Sequence, residues 1–179
     1  MNQKLIAIAL AIAIALFSAP AQSQVNCSNL AHWSNTNPPV NQTHIFCGEW
    51  SRNRPKGFHS RPNGINPNTV ANFQITQSAN NQGIYGGTWS YAGHSNPTKY
   101  STMFPDRCTQ SQVLNSIIYA ATHQQNCSSN APNWAWCGAN APTANAENYC
   151  NGDDGDDGIF TIAGASFNDG KVNTAFPLR

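Results

Sequence analysis

His44 and His59 stand 15 positions apart at the two ends of the stretch HIFCGEWSRNRPKGFH. Near neutral pH two imidazoles can divide an acid role and a base role, because an unperturbed imidazole titrates at about 6.5 and serves in either protonation state. The connection between them is polar, contains a proline and carries Arg52, Arg54 and Lys56, with Arg61 just beyond His59. A phosphate-bearing substrate would be attracted to such a site. The short apolar segments His44-Ile45-Phe46 and Gly57-Phe58-His59 suit a strand, a loop and a strand that bring both rings to one cleft. Lys99, in PTKYSTMFP, is the third candidate. A lysine just before hydroxyl residues and an aromatic-Pro turn can hold a phosphate oxygen while the hydroxyls bind a base or sugar.

Residues 1 to about 23 read as a secretory signal: Lys4 is the basic n-region, Leu5 to Phe17 the apolar run, and Ala19-Pro20-Ala21 the cleavage site. The run is too short to span a membrane comfortably, so the expectation is a secreted or periplasmic protein with no membrane attachment after cleavage. Residues 24–179 then fit one domain. Without Lys4 the eight remaining basic residues balance eight acidic ones, which argues against a general nucleic-acid coat. Six cysteines in an oxidising compartment read as up to three disulfides, with 15 connectivities open. No C-x-x-C pair favours zinc, and no metal site is expected.

The pattern of the chain is α+β, with antiparallel sheets carrying the site. Residues 24–43 read as an irregular arm that Cys27 could tie down. Ala71, Phe73 and Ile75 alternate on one face of a strand, and Ile84 to Tyr91 forms a second. One principal helix, at about 109–124, is capped by Thr109 and carries Val113, Leu114, Ile117, Ile118 and Ala121 at helical spacing. Residues 126–151, with three cysteines and no clear period, read as a disulfide-stapled insertion. Asn168-Asp169-Gly170 between apolar runs signals a C-terminal hairpin at about 159–176. The Asp-rich run 151–158 reads as a solvated acidic turn, with calcium the rival reading. Glu49, five positions after His44, would point away from it along a strand and is assigned a structural or surface role. His32, His94 and His123 lack a partner pattern.

The whole set, HIFCGEWSRNRPKGFHS, a TKYSTMFP segment ahead of a helix and a closing Thr174-Ala175-Phe176-Pro177, resembles the EndoU-type endoribonucleases, especially their bacterial toxin branch. The resemblance covers roughly residues 40–120 and 158–178. It implies cleavage of single-stranded RNA by attack of a ribose 2′-hydroxyl on the adjacent phosphorus, giving a 2′,3′-cyclic phosphate. Carried over, His59 is the general base, His44 the acid that protonates the leaving 5′-oxygen, and Lys99 the cation on the phosphorane. Ser101, Thr102, Thr174 and Phe176 would contact the nucleotide. No cofactor is required, although Mn²⁺ stimulation is within the family's range, and an immunity protein and a monomeric state are the partner expectations. Phe176 stands where many relatives carry tyrosine, which leaves uridine or pyrimidine preference open. The rival is a catalytically inactive secreted RNA- or carbohydrate-binding module, with Trp33, Trp50, Trp89, Trp134 and Trp136 as its contact surface.

Overall fold

In the computed structural model of the protein, which describes residues 24–153 and 158–179, Thr109 closes a capping box on α1 (Gln110–Thr122). Its hydroxyl accepts from the Gln112 N–H at 3.2 Å and its own N–H donates to the Gln112 side chain at 2.9 Å. Two donors that a helix start leaves orphaned are thereby satisfied. Val113, Ile117 and Ala120 are fully buried, flanked by the partly buried Leu114, Ile118 and Ala121. This stripe lies on an antiparallel sheet of β6 (Gln124–Gln125), β7 (Trp136–Ala139), β8 (Thr161–Ser166) and β9 (Val172–Pro177), in that order. Gly138 lets the helix come close, since a Cβ there would lie 2.2 Å from the Ala120 carbonyl oxygen. The hairpin of β8 and β9 turns at Asn168-Asp169-Gly170, where Gly170 supplies φ +84°.

A second antiparallel sheet holds β3 (Val70–Gln77), β4 (Tyr85–Tyr91) and β5 (Lys99–Met103). Its core is a separate cluster of Phe58, Val70, Tyr85, Trp89 and Met103. Phe73 joins this core, but Ile75, expected on the same face, is half exposed (51%). Register shifts between Ala71 and Gln74 and between Ile75 and Gln77, with Asn72 at φ +50°, break the period-two alternation. A small ribbon, β1 (Glu49–Ser51) and β2 (Arg54–Lys56), turns through Arg52 and Asn53. The fold is thus α+β, with antiparallel sheets, one main helix and a C-terminal hairpin.

All six cysteines are paired, as Cys27–Cys47, Cys108–Cys150 and Cys127–Cys137. The first ties the N-terminal arm to the turn that carries His44, and the second ties the start of α1 to the chain ahead of β8. Within 126–151, expected as an insertion, Trp136–Ala139 runs as an inner strand of the larger sheet. Four residues are too few to show a period, and the sheet rather than the loop decides their conformation. The expected signal at 1–23, and residues 154–157 of the acidic run, lie outside the described residues. Among the described residues no helix is long and apolar enough to cross a membrane.

Candidate active site

The strand, loop and strand expected around the histidines is not what forms. His44 lies on a single wide helical turn, Thr43–Cys47, started by Asn41, whose side-chain oxygen accepts from the His44 N–H at 3.0 Å and from the Thr43 hydroxyl at 2.9 Å. Ile45, Phe46 and Cys47 sink into the larger core, which orients the turn. Gly48 then reverses the chain at φ +68°, close against the Trp89 ring. The reversal changes the fate of Glu49. Instead of pointing away, its carboxylate accepts from His44 Nδ1 at 3.0 Å, so the surface or structural role expected for it is corrected to the partner of an imidazole. Burial works against the charged carboxylate, but the hydrogen bond from His44 prevails and holds Glu49 below its ordinary value.

The second histidine arrives on a segment docked directly onto that turn. Phe58 N–H donates to the His44 carbonyl at 2.7 Å, while the N–H groups of His59 and Ser60 both donate to the Ile45 carbonyl. Approach this close needs Gly57, at φ +69°, because a Cβ there would lie 2.1 Å from the His44 carbonyl oxygen. Phe58 also has positive φ, +59°, which for a bulky residue costs about 1–3 kcal/mol. Its fully buried ring meets Trp89 and Phe73 edge-on at 5.3 and 5.6 Å, and burial of about 1.5–3 kcal/mol plus such aromatic pairs offsets the strain. The two imidazole centroids end 6.1 Å apart.

Among the described residues His59 has no carboxylate partner. Its Nδ1–H donates to the Thr102 carbonyl at 3.0 Å, which fixes the tautomer and leaves the Nε2 lone pair available. Burial first, then the charges of Lys99 and His44, push its pKa well below 6.5. It is therefore a neutral imidazole at physiological pH. Lys99 is lowered to about 8 by burial and remains mostly protonated at neutrality.

Ser101 is not a base-binding hydroxyl. Its Oγ accepts from Lys99 Nζ at 2.7 Å and from Trp89 Nε1 at 3.1 Å, and donates to the Gly57 carbonyl at 3.0 Å. That is all a hydroxyl can do, and the residue is 2% exposed. It fixes the ammonium and Gly57 in one network. The cleft of about 510 Å³ is lined by His44, His59, Lys99, Thr102, Thr174 and Phe176, together with Ser101, Arg54, Lys56 and Trp134. Phe176 stacks on His59 at 5.3 Å, and Trp134 meets Phe176 edge-on at 6.0 Å.

Not every expected cation reaches the cleft. The Arg61 guanidinium donates to Tyr85 and pairs with Asp106 at 2.9 Å over the Phe73 ring, so it stabilises the smaller lobe. His32 bonds Thr43, His94 stacks on Trp50 and His123 on Tyr119. The five tryptophans form no common surface: Trp89 is fully buried and Trp136 packs under Gly164. Trp134, exposed at the cleft rim, is a site aromatic that no motif in the sequence marks. It lies in a loop with no period, inside the segment that Cys127–Cys137 closes.

Residues 39–179 match the family model for bacterial EndoU nuclease. The chain belongs to this family. Comparison with curated proteins and with solved structures gives no match. Among the described residues no group of three or more His, Cys, Asp or Glu side chains is placed to hold a metal ion. Among the described residues the cleft lining holds two imidazoles and no carboxylate to offer a divalent ion, and the nearby Glu49 is hydrogen-bonded to His44.

Proposed function

We propose that this EndoU nuclease is an exported endoribonuclease that cleaves single-stranded RNA by transphosphorylation. The observation that carries the reading is the contrast in Nδ1 partners: a carboxylate for His44 and a backbone carbonyl for His59, on one cleft with a lysine. Neutral His59 takes the 2′-hydroxyl proton on Nε2, the 2′-oxygen attacks phosphorus, and the bond from phosphorus to the 5′-oxygen breaks. His44, hydrogen-bonded through Nδ1 to Glu49, gives its Nε2 proton to the departing 5′-oxygen. Lys99 stabilises the charge that gathers on the phosphorane oxygens, where a water-poor site strengthens its effect. The products are a 2′,3′-cyclic phosphate and a 5′-hydroxyl, so DNA is not a substrate.

Base recognition falls to Phe176, Thr102 and Thr174, since Ser101 is fully engaged. A stacking face accepts any base, and a weakened pyrimidine preference is expected. Export is consistent with three disulfides. The test is a DNA oligonucleotide carrying one ribonucleotide, incubated with purified protein. A single cut 3′ of that ribonucleotide, with a cyclic phosphate by mass, is expected; cutting of the all-DNA control would reject the mechanism.

A further inference from the structure

A second groove, of about 450 Å³, opens beside the catalytic cleft and shares Arg54, Lys56 and Lys99 with it. Its floor is β2, where Pro55 is buried and the residues on either side face outward. Period two puts Arg54 and Lys56 on one face, roughly 7 Å apart. Among the described residues neither is in an ion pair. Glu49 lies opposite Lys56 in the ribbon's register, yet its carboxylate bonds His44 and the Asn41 amide. Two cations beside Lys99, with Glu49 engaged elsewhere, make a site for a second anion next to the first.

We infer that this groove, lined by Arg54, Lys56, Pro97 and Thr98, binds the phosphate next to the scissile one on its 3′ side. The inference rests on the RNA reading above, because the side follows from the roles of the histidines. His59, stacked on Phe176, faces the nucleotide that supplies the 2′-hydroxyl. His44 faces the leaving 5′-oxygen, and the β1–β2 ribbon grows directly out of the turn that carries His44. The chain that leaves therefore runs along Lys56 toward Arg54. The preferred substrate is a single strand with at least one further phosphate beyond the leaving nucleotide, because a positive groove that tracks a backbone gains affinity with each phosphate it neutralises.

The test uses short RNAs whose scissile nucleotide is 2′-deoxy, so that binding is read without cleavage. A dinucleotide is compared with trinucleotides extended by one nucleotide on the 3′ or the 5′ side, by fluorescence anisotropy from about 50 to 200 mM salt. The 3′ extension is expected to tighten binding and to steepen the logarithmic salt slope by about 0.7, the value for one single-strand phosphate contact. Arg54→Gln is expected to erase that gain. A 3′ extension that gives no gain, or a gain that survives Arg54→Gln, would overturn the assignment. If the oligonucleotides bind as expected while the all-ribose trinucleotide stays uncut, the cleavage mechanism fails and the phosphate subsite stands.

Discussion

His44 and His59 are one residue type held by two different cores. The turn of His44 is anchored by Ile45, Phe46 and Cys47 in the helix-and-sheet core, whereas His59 follows Phe58, the anchor in the smaller core of Trp89 and Met103. The seam between the two cores is the cleft, with Lys99 from the smaller sheet on one side and Thr174 and Phe176 from the larger on the other. Their surroundings differ as their anchors do. One imidazole has a carboxylate partner; the other is buried against a carbonyl with positive charge nearby. Environments that separate two like groups assign acid and base roles.

The largest expected effects come from removing either member of the pair. His44→Ala and His59→Ala should each lower cleavage by about 10²- to 10⁴-fold, the usual contribution of one positioned proton transfer. Lys99→Ala should cost on the order of 10²- to 10³-fold in kcat, as for loss of a donor to a developing anion. Glu49→Gln strikes one side of the comparison only. It replaces a charge-assisted bond with a neutral one, a loss of about 1.5 kcal/mol or roughly tenfold in rate, and it should leave the acid limb of the pH profile, which His59 sets, in place. A shift of the acid limb in this variant would break the division of roles.

The pH dependence sharpens the same contrast. His59 must be neutral, and its lowered pKa keeps it so to well below pH 6.5, so activity should persist into mildly acid solution. Lys99 and the acid His44 must both be protonated, so activity should be lost on the alkaline side, with the contribution of Lys99 falling as pH rises through about 8. Stability follows the sign of the His59 shift. Between its folded value and about 6.5 the unfolded imidazole binds a proton that the buried one refuses, so Tm should decline as pH drops through that window. A Tm that rises on acidification there would contradict a buried neutral His59.

The smallest effect concerns Phe176. Phe176→Ala should weaken RNA binding by about 1–3 kcal/mol if its ring stacks on a base, read as affinity for a 2′-deoxy substrate analogue. Unchanged affinity and base preference would make it packing for His59 alone.

Much of this was legible in the chain. The capping box at Thr109, the Asn-Asp-Gly turn and the residue set His44, His59 and Lys99 are carried by local chemistry, which a sequence displays. The partner of His44 was not, because one five-residue helical turn has no period to read, and the reversal at Gly48 that returns Glu49 to the edge of the ring takes place against Trp89, where a Cβ would not fit. Ser101 is a related case: its place in TKYST marks it as near the site, but only the packing of Trp89 and Gly57 around its hydroxyl shows that no valence is left for substrate. Arg61 adjoins the basic patch in sequence, and that proximity conceals its capture by Asp106, 45 positions on.

The central claim, that His44 is the acid and His59 the base, is tested most directly with a dinucleotide whose 5′-bridging oxygen is replaced by sulfur. A thiol titrates near 8.5 and departs as thiolate without being protonated. The expected result is that His44→Ala cleaves this substrate at close to the wild-type rate while His59→Ala remains inactive on it. Rescue of His59→Ala with continued failure of His44→Ala would reverse the two roles, and failure of both variants would contradict assignment of His44 as the acid.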